Sequence, residues 1–134
     1  EIGKSEIKQE GTDITLLGIG FTTRVCMEAA QELEVQGYSV EVLDLLSLSP
    51  MDEEGILDSV RKTRKIVIVD EDYPRCSMAT DISALVAEEA FDYLDAPPKR
   101  VTPPHTLVPY SRPIEALFVP DKEKVISAAL EILE

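Results

Sequence analysis

The residues able to do chemistry in this chain of 134 are few and fall in separate places. Asp70-Glu71-Asp72 ends the apolar run Ile66 to Val69, where acids at a strand's carboxyl end could hold a divalent metal or accept a phosphoryl group, as in a receiver domain. A receiver would also carry paired acids after its first strand, where this chain has Gly20-Phe21-Thr22-Thr23, and a late strand ending in Lys-Pro. Cys76 follows Arg75 near the expected start of a helix, and both features lower a thiol pKa. With no His or second Cys nearby in sequence, an idle thiol is the better reading. His105, the only histidine, shares a proline-rich stretch with Tyr110, and it either serves a neighbouring subunit's site or hydrogen-bonds a loop carbonyl. Gly18-Ile19-Gly20 follows a strand and opens a helix, as a dinucleotide fingerprint does, but Thr23 stands where the third glycine belongs. A tight turn needing small residues is the favoured alternative. No Ser-His-Asp, paired-carboxylate or phosphate-loop pattern is present, so no residue is assigned a catalytic, cofactor-binding or metal-binding role.

The elements that must position these residues follow from periodicity. The stretch from Lys65 to Leu94 is the organising βα unit. Lys65 to Glu71 is β-branched and unbroken, which predicts a central parallel strand with its carboxyl end at solvent. Met78, Ile82, Leu85, Val86 and Ala90 recur at helical spacing behind it. Before this unit, Ser5 to Gln9 reads as a short edge strand and Asp13 to Ile19 as a confident one. A helix face of Val25, Cys26, Ala29, Ala30 and Leu33 then stops at Gly37 in the position of a C′ glycine. Ser39 to Leu46 is a further strand, followed by a helix that Ser49 or Asp52 could cap, with Pro50 in its first turn. Acids at that helix's start and Arg61, Lys62 and Arg64 at its end suit the helix dipole.

Seven of the nine prolines lie between Asp95 and Pro120, which bars a long helix or central strand there. Lys99 to Thr102 reads as a short strand, antiparallel to its neighbours. Pro103 to Pro113 reads as an extended functional or interfacial loop, and Pro113 to Leu117 as one helical turn. Asp121 caps a last helix with Val125, Ile126, Ala129, Leu130 and Leu133 on one stripe. The expected fold class is α/β: one three-layer domain over 1–134, an open, mostly parallel sheet with helices on both faces and one antiparallel edge strand.

Composition narrows the partners. Thirteen bases against 26 acids give a net charge of -13, which disfavours nucleic acid and favours a basic protein surface. The apolar runs are strand-length and the start is too charged for a signal peptide, so no membrane partner is expected and a cytoplasmic location is. Two cysteines without metal-ligand spacing read as reduced thiols. The charged opening, without an initiator Met, reads as a linker excised from something longer.

The order of motifs adds a resemblance. GTDITLLGIG, the helix with Glu28-Ala29-Ala30 and Leu33, VEVLDLLSLSPMDEEGILDSVRKT, KIVIVDED, LDAPPKRVTPPHTLVPYS and IEALFVP together cover essentially the whole chain. In this order they resemble the C-terminal, transketolase-like domain of the beta subunit of thiamine-diphosphate-dependent 2-oxo acid dehydrogenases of the pyruvate, branched-chain and acetoin types. Pro74 to Met78 departs from the glycine-rich turn that many members have there, which leaves the branch and the 2-oxo acid open. The resemblance implies an assembly and docking module, inactive alone and binding no cofactor itself. The parent enzyme would use thiamine diphosphate and magnesium to decarboxylate a 2-oxo acid and pass the acyl group to a lipoyl-acyltransferase. Implied partners are the alpha subunit, a second beta subunit and the acyltransferase's peripheral subunit-binding domain, which is typically basic. Interface candidates are Glu71, Asp72, Arg75, His105, Tyr110, Glu131 and Glu134. The alternatives are the same domain from a deoxyxylulose phosphate synthase or transketolase, or a metal-binding or receiver-like signalling module.

Overall fold

The computed structural model describes residues 2–134. A five-stranded sheet has the order β1-β3-β2-β4-β5, where β1 is Glu6–Gln9, β2 Ile14–Gly18, β3 Val40–Asp44, β4 Ile66–Val69 and β5 Lys99–Val101. β2, β3, β4 and β5 are parallel, and β1 joins the edge of β3 antiparallel, with an irregularity between Ile7 and Gln9. Two sequence expectations are corrected. The antiparallel edge strand is β1 while β5 runs parallel to β4, because three residues, two of them charged, encode no direction. The middle of the sheet is β2; β4 is an inner strand one place from the edge.

Alternation along the inner strands divides the core. Ile14, Leu16, Val40, Val42, Val67 and Val69 face α1 (Phe21–Val35) and α5 (Lys122–Leu133), meeting Cys26, Ala29, Ala30, Leu33, Val125 and Ala129. Leu17, Leu43, Ile66 and Ile68 face α2 (Glu53–Thr63) and α3 (Met78–Glu89), meeting Ile56, Leu57, Val60, Ile82 and Val86. The expected three-layer architecture follows, since each inner strand buries both faces. A one-turn 3-10 segment, Phe91–Tyr93, follows α3, and α4 (Arg112–Phe118) is longer than the expected single turn.

Gly18 is required by close approach: a Cβ there would lie 2.4 Å from the Thr23 Cα, so the start of α1 packs directly on β2. Gly37, at φ +97°, occupies the C′ position beyond α1 as anticipated. Asp121 caps α5, its Oδ1 accepting from the Lys124 amide at 2.9 Å. The start of α2 differs from expectation. Pro50 lies outside the helix, and Asp52 holds the cap position without capping, its carboxylate turned to the Ser5 amide at 2.9 Å and hydroxyl at 2.7 Å. Among the described residues, no helix is long and apolar enough to cross a membrane.

Candidate functional site

In open parallel sheets ligands gather beyond the strand carboxyl ends, where successive connections leave in opposite directions. Here β2 connects toward β3 and β4 toward β5, so that crevice falls between β2 and β4. It is closed by protein. The hydroxyl of Thr22, in the first turn of α1, donates to the Val69 carbonyl at 2.6 Å and accepts from the Ile19 amide at 2.8 Å. Beside it, Thr23 donates to Asp44 Oδ1 at 2.7 Å. The Gly18-Ile19-Gly20 turn is therefore the tight turn of the plainer reading, with Gly20 at φ +60°.

Asp70 does not meet solvent as expected. It is buried, its Oδ1 accepting from the Asp72 amide and its Oδ2 from the Ala79 amide in the first turn of α3, each at 3.1 Å. A buried carboxylate is well placed against a helix amino end, and these two bonds occupy both oxygens. Among the described residues, no three His, Cys, Asp or Glu side chains gather in a metal-binding group. Glu71, Asp72, Arg75 and Cys76 are exposed, with Cys76 at φ +53°. The other thiol, Cys26, is fully buried, and burial first, then the Asp44 charge, raise its pKa.

The loops after β4 and β5 meet through Tyr73, which sequence reasoning did not single out. Its ring contacts His105 edge-on at 5.7 Å between centroids and Phe118 of α4 at 6.5 Å. Arg100 of β5 ties the same turn down, donating to the Pro74 carbonyl at 2.8 Å and the Thr80 hydroxyl at 2.9 Å. His105 is thus part of an edge-on aromatic cluster centred on Tyr73. Beyond it the chain displays apolar surface: Leu107 is 87% exposed, Leu117 75% exposed, and Tyr110 fully exposed, with Val108 and Ile114 more than half exposed. Glu71 and Glu115 line a cavity of about 230 Å³ whose floor includes Phe118 and Pro120. The candidates therefore divide. Glu71, Asp72 and Arg75 lie on the loop after β4 and His105 and Tyr110 on the loop after β5, two loops that meet where Tyr73 contacts His105, whereas Glu131 pairs with Lys99 at 2.6 Å beside the start of β5, and Glu134 follows on the end of α5. Glu41, the only fully buried acid among the described residues, was also missed, because it sits at an alternating strand position that reads as solvent-facing.

This arrangement can hold a surface against another surface; it offers no nucleophile with its base. Comparison with known proteins agrees with the fold. Residues 3–125 match the family model described as the transketolase C-terminal domain. The chain is 50% identical over 132 residues to the beta subunit of an acetoin:2,6-dichlorophenolindophenol oxidoreductase from Bacillus subtilis, covering 98% of this chain and 39% of that protein. It is 40% identical over 127 residues to the beta subunit of a pyruvate dehydrogenase E1 component from Rhizobium meliloti, covering 95% of this chain and 28% of that one. A solved structure described as a split-gene transketolase, an inactive beta4 tetramer, superposes with a TM-score of 0.83 at 26% identity, covering 99% of this chain and 43% of that chain. The chain thus spans well under half the length of these relatives. With the match running from residue 3 to residue 125, the chain belongs to the transketolase C-terminal domain family.

Proposed function

We propose that this chain is the assembly and docking domain of a 2-oxo acid dehydrogenase beta subunit. The parent, in this reading, oxidatively decarboxylates a 2-oxo acid with thiamine diphosphate and magnesium and hands the acyl group to a lipoyl-acyltransferase. Similarity to acetoin and pyruvate dehydrogenase beta subunits along nearly the whole chain supports the parent's identity. The residues described here do not fit a metal-bound diphosphate: Asp70 has both oxygens on backbone amides, Asp44 accepts from Thr23, and Thr22 fills the crevice between β2 and β4. No step through the cofactor is derived from them, and they would act by holding partners.

The observation that carries the assembly role is the loop edge itself. Leu107, Val108, Tyr110, Ile114 and Leu117 form an exposed apolar set following one another on a loop and the helix after it, a pattern that marks interaction surfaces. The alpha subunit and a second beta subunit are the partners it would meet. Docking of the acyltransferase's subunit-binding domain is assigned to the acidic surface, with the net charge of -13 setting a long-range preference for basic surfaces. The test is capture of this chain by that subunit-binding domain at low and high salt. Binding that weakens steeply as salt rises is expected. No binding at either salt would overturn the docking role.

A further inference from the structure

β1 is bound to the sheet differently from the three inner strands. Glu6, Ile7 and Lys8 are all exposed, Ile7 by 44%, whereas every residue of β2, β3 and β4 is buried. Its ladder to β3 is interrupted between Ile7 and Gln9. Polar clasps at both ends make up the difference. At the amino end, the buried Asp52 carboxylate accepts from the Ser5 amide, the Ser5 hydroxyl and the Lys4 ammonium at 2.9, 2.7 and 3.0 Å. At the carboxyl end, the Gln9 amide nitrogen donates to the Val40 carbonyl at 2.9 Å, and Glu10 pairs with Lys62 at 2.9 Å. Gly55 of α2 makes the first clasp possible, since a Cβ there would lie 2.3 Å from Asp52 Oδ2 and 2.5 Å from the Ser5 hydroxyl.

We infer that β1 is a strap that detaches from the β3 edge as a unit while β2 to β5 stay folded, and that the Asp52 clasp over Gly55 is its latch. Segments with little apolar burial open at lower free energy than the core and expose little surface in doing so. Detachment would uncover the hydrogen-bonding edge of β3, Val40 to Asp44.

Native-state hydrogen exchange of the full chain across sub-denaturing urea tests this. The amides of Glu6 to Gln9 should exchange at least tenfold faster than those of β2 and β4, with a rate nearly independent of urea, because the opening exposes little surface. Asp52→Ala should speed their exchange about tenfold further and leave the urea dependence of β2 and β4 unchanged. Gly55→Ala should act in the same direction although alanine favours the helix, so a fold defect and a lost latch are told apart. If the β1 amides share the urea dependence of β2 and β4, or if both substitutions accelerate all strands equally, the strap does not exist.

Discussion

The Thr22 hydroxyl lies 2.6 Å from the Val69 carbonyl oxygen, so that a residue of α1 saturates the last residue of β4. This bond spans the point where the sheet's connections diverge, the place where open α/β proteins usually hold a ligand. Thr22 is fully buried there, and its oxygen also accepts from the Ile19 amide at 2.8 Å.

The plug has an energetic signature. Thr22→Val keeps the volume but leaves the Val69 carbonyl without its donor and the Ile19 amide without its acceptor, which should cost about 2 kcal/mol. Thr22→Ser retains the hydroxyl and should cost less than about 1 kcal/mol. Urea unfolding of the three proteins separates these outcomes. A larger loss for Ser than for Val would mean that the methyl packing, not the hydrogen bond, matters.

How much of this was legible depends on the range of the interaction. β2 and β4 were readable as apolar runs and β3 by its alternation, and α1, α3 and α5 because their buried residues recur at helical spacing. β5 was found but given the wrong direction, since Lys99, Arg100 and Val101 hold no information about their neighbour. Asp52 looked like a helix cap and Asp70 like a solvent acid because sequence cannot show that Ser5 and the Ala79 amide come to them. The same limit hid the contact of Tyr73 with His105, which exists only because β4 and β5 are adjacent. The interface candidates were chosen for charge and loop position, and an interface role for them is a matter of the proposed function.

Acid should weaken the Asp52 clasp in a defined window. Burial opposes the charge on Asp52, but the Ser5 amide, the Ser5 hydroxyl and the Lys4 ammonium together outweigh it and bring its pKa from 3.8 down to about 2. A folded value below the unfolded one stabilises the protein above the unfolded pKa, and this contribution is lost as pH falls from about 4 through about 2. Wild type should therefore exceed Asp52→Asn in stability by about 1–2 kcal/mol near neutral pH, with the gap closing toward pH 2. Urea midpoints of both proteins across that range measure it. A gap that does not change with pH would mean that the carboxylate charge contributes nothing to the clasp.

Lys62 and Glu41 should show the asymmetry expected of a buried charge. Glu41 is fully buried on β3; its Oε1 accepts from the Ser59 hydroxyl at 2.6 Å, and its Oε2 meets the Lys62 ammonium, which Glu10 also holds at 2.9 Å. Burial of Lys62 works against its charge, and the bonds from Glu10 and Glu41 more than offset this, leaving its pKa above the ordinary lysine value. The Ser59 hydroxyl continues the network to Thr15 at 2.6 Å, and Thr15 to Thr63 at 2.7 Å, so the carboxylate is wired into the α2 side of the sheet. Lys62→Met removes the counter-charge and strands Glu41, at a cost of about 3 kcal/mol, the low end for a broken buried pair because Lys62 itself is part exposed. Adding Glu41→Gln removes the stranded charge while keeping an oxygen for Ser59, and the double variant should recover more than half of that loss. A double-mutant cycle by urea unfolding reads the coupling directly. If the two losses simply add, water already screens Glu41 and the Lys62 contact is incidental to the fold.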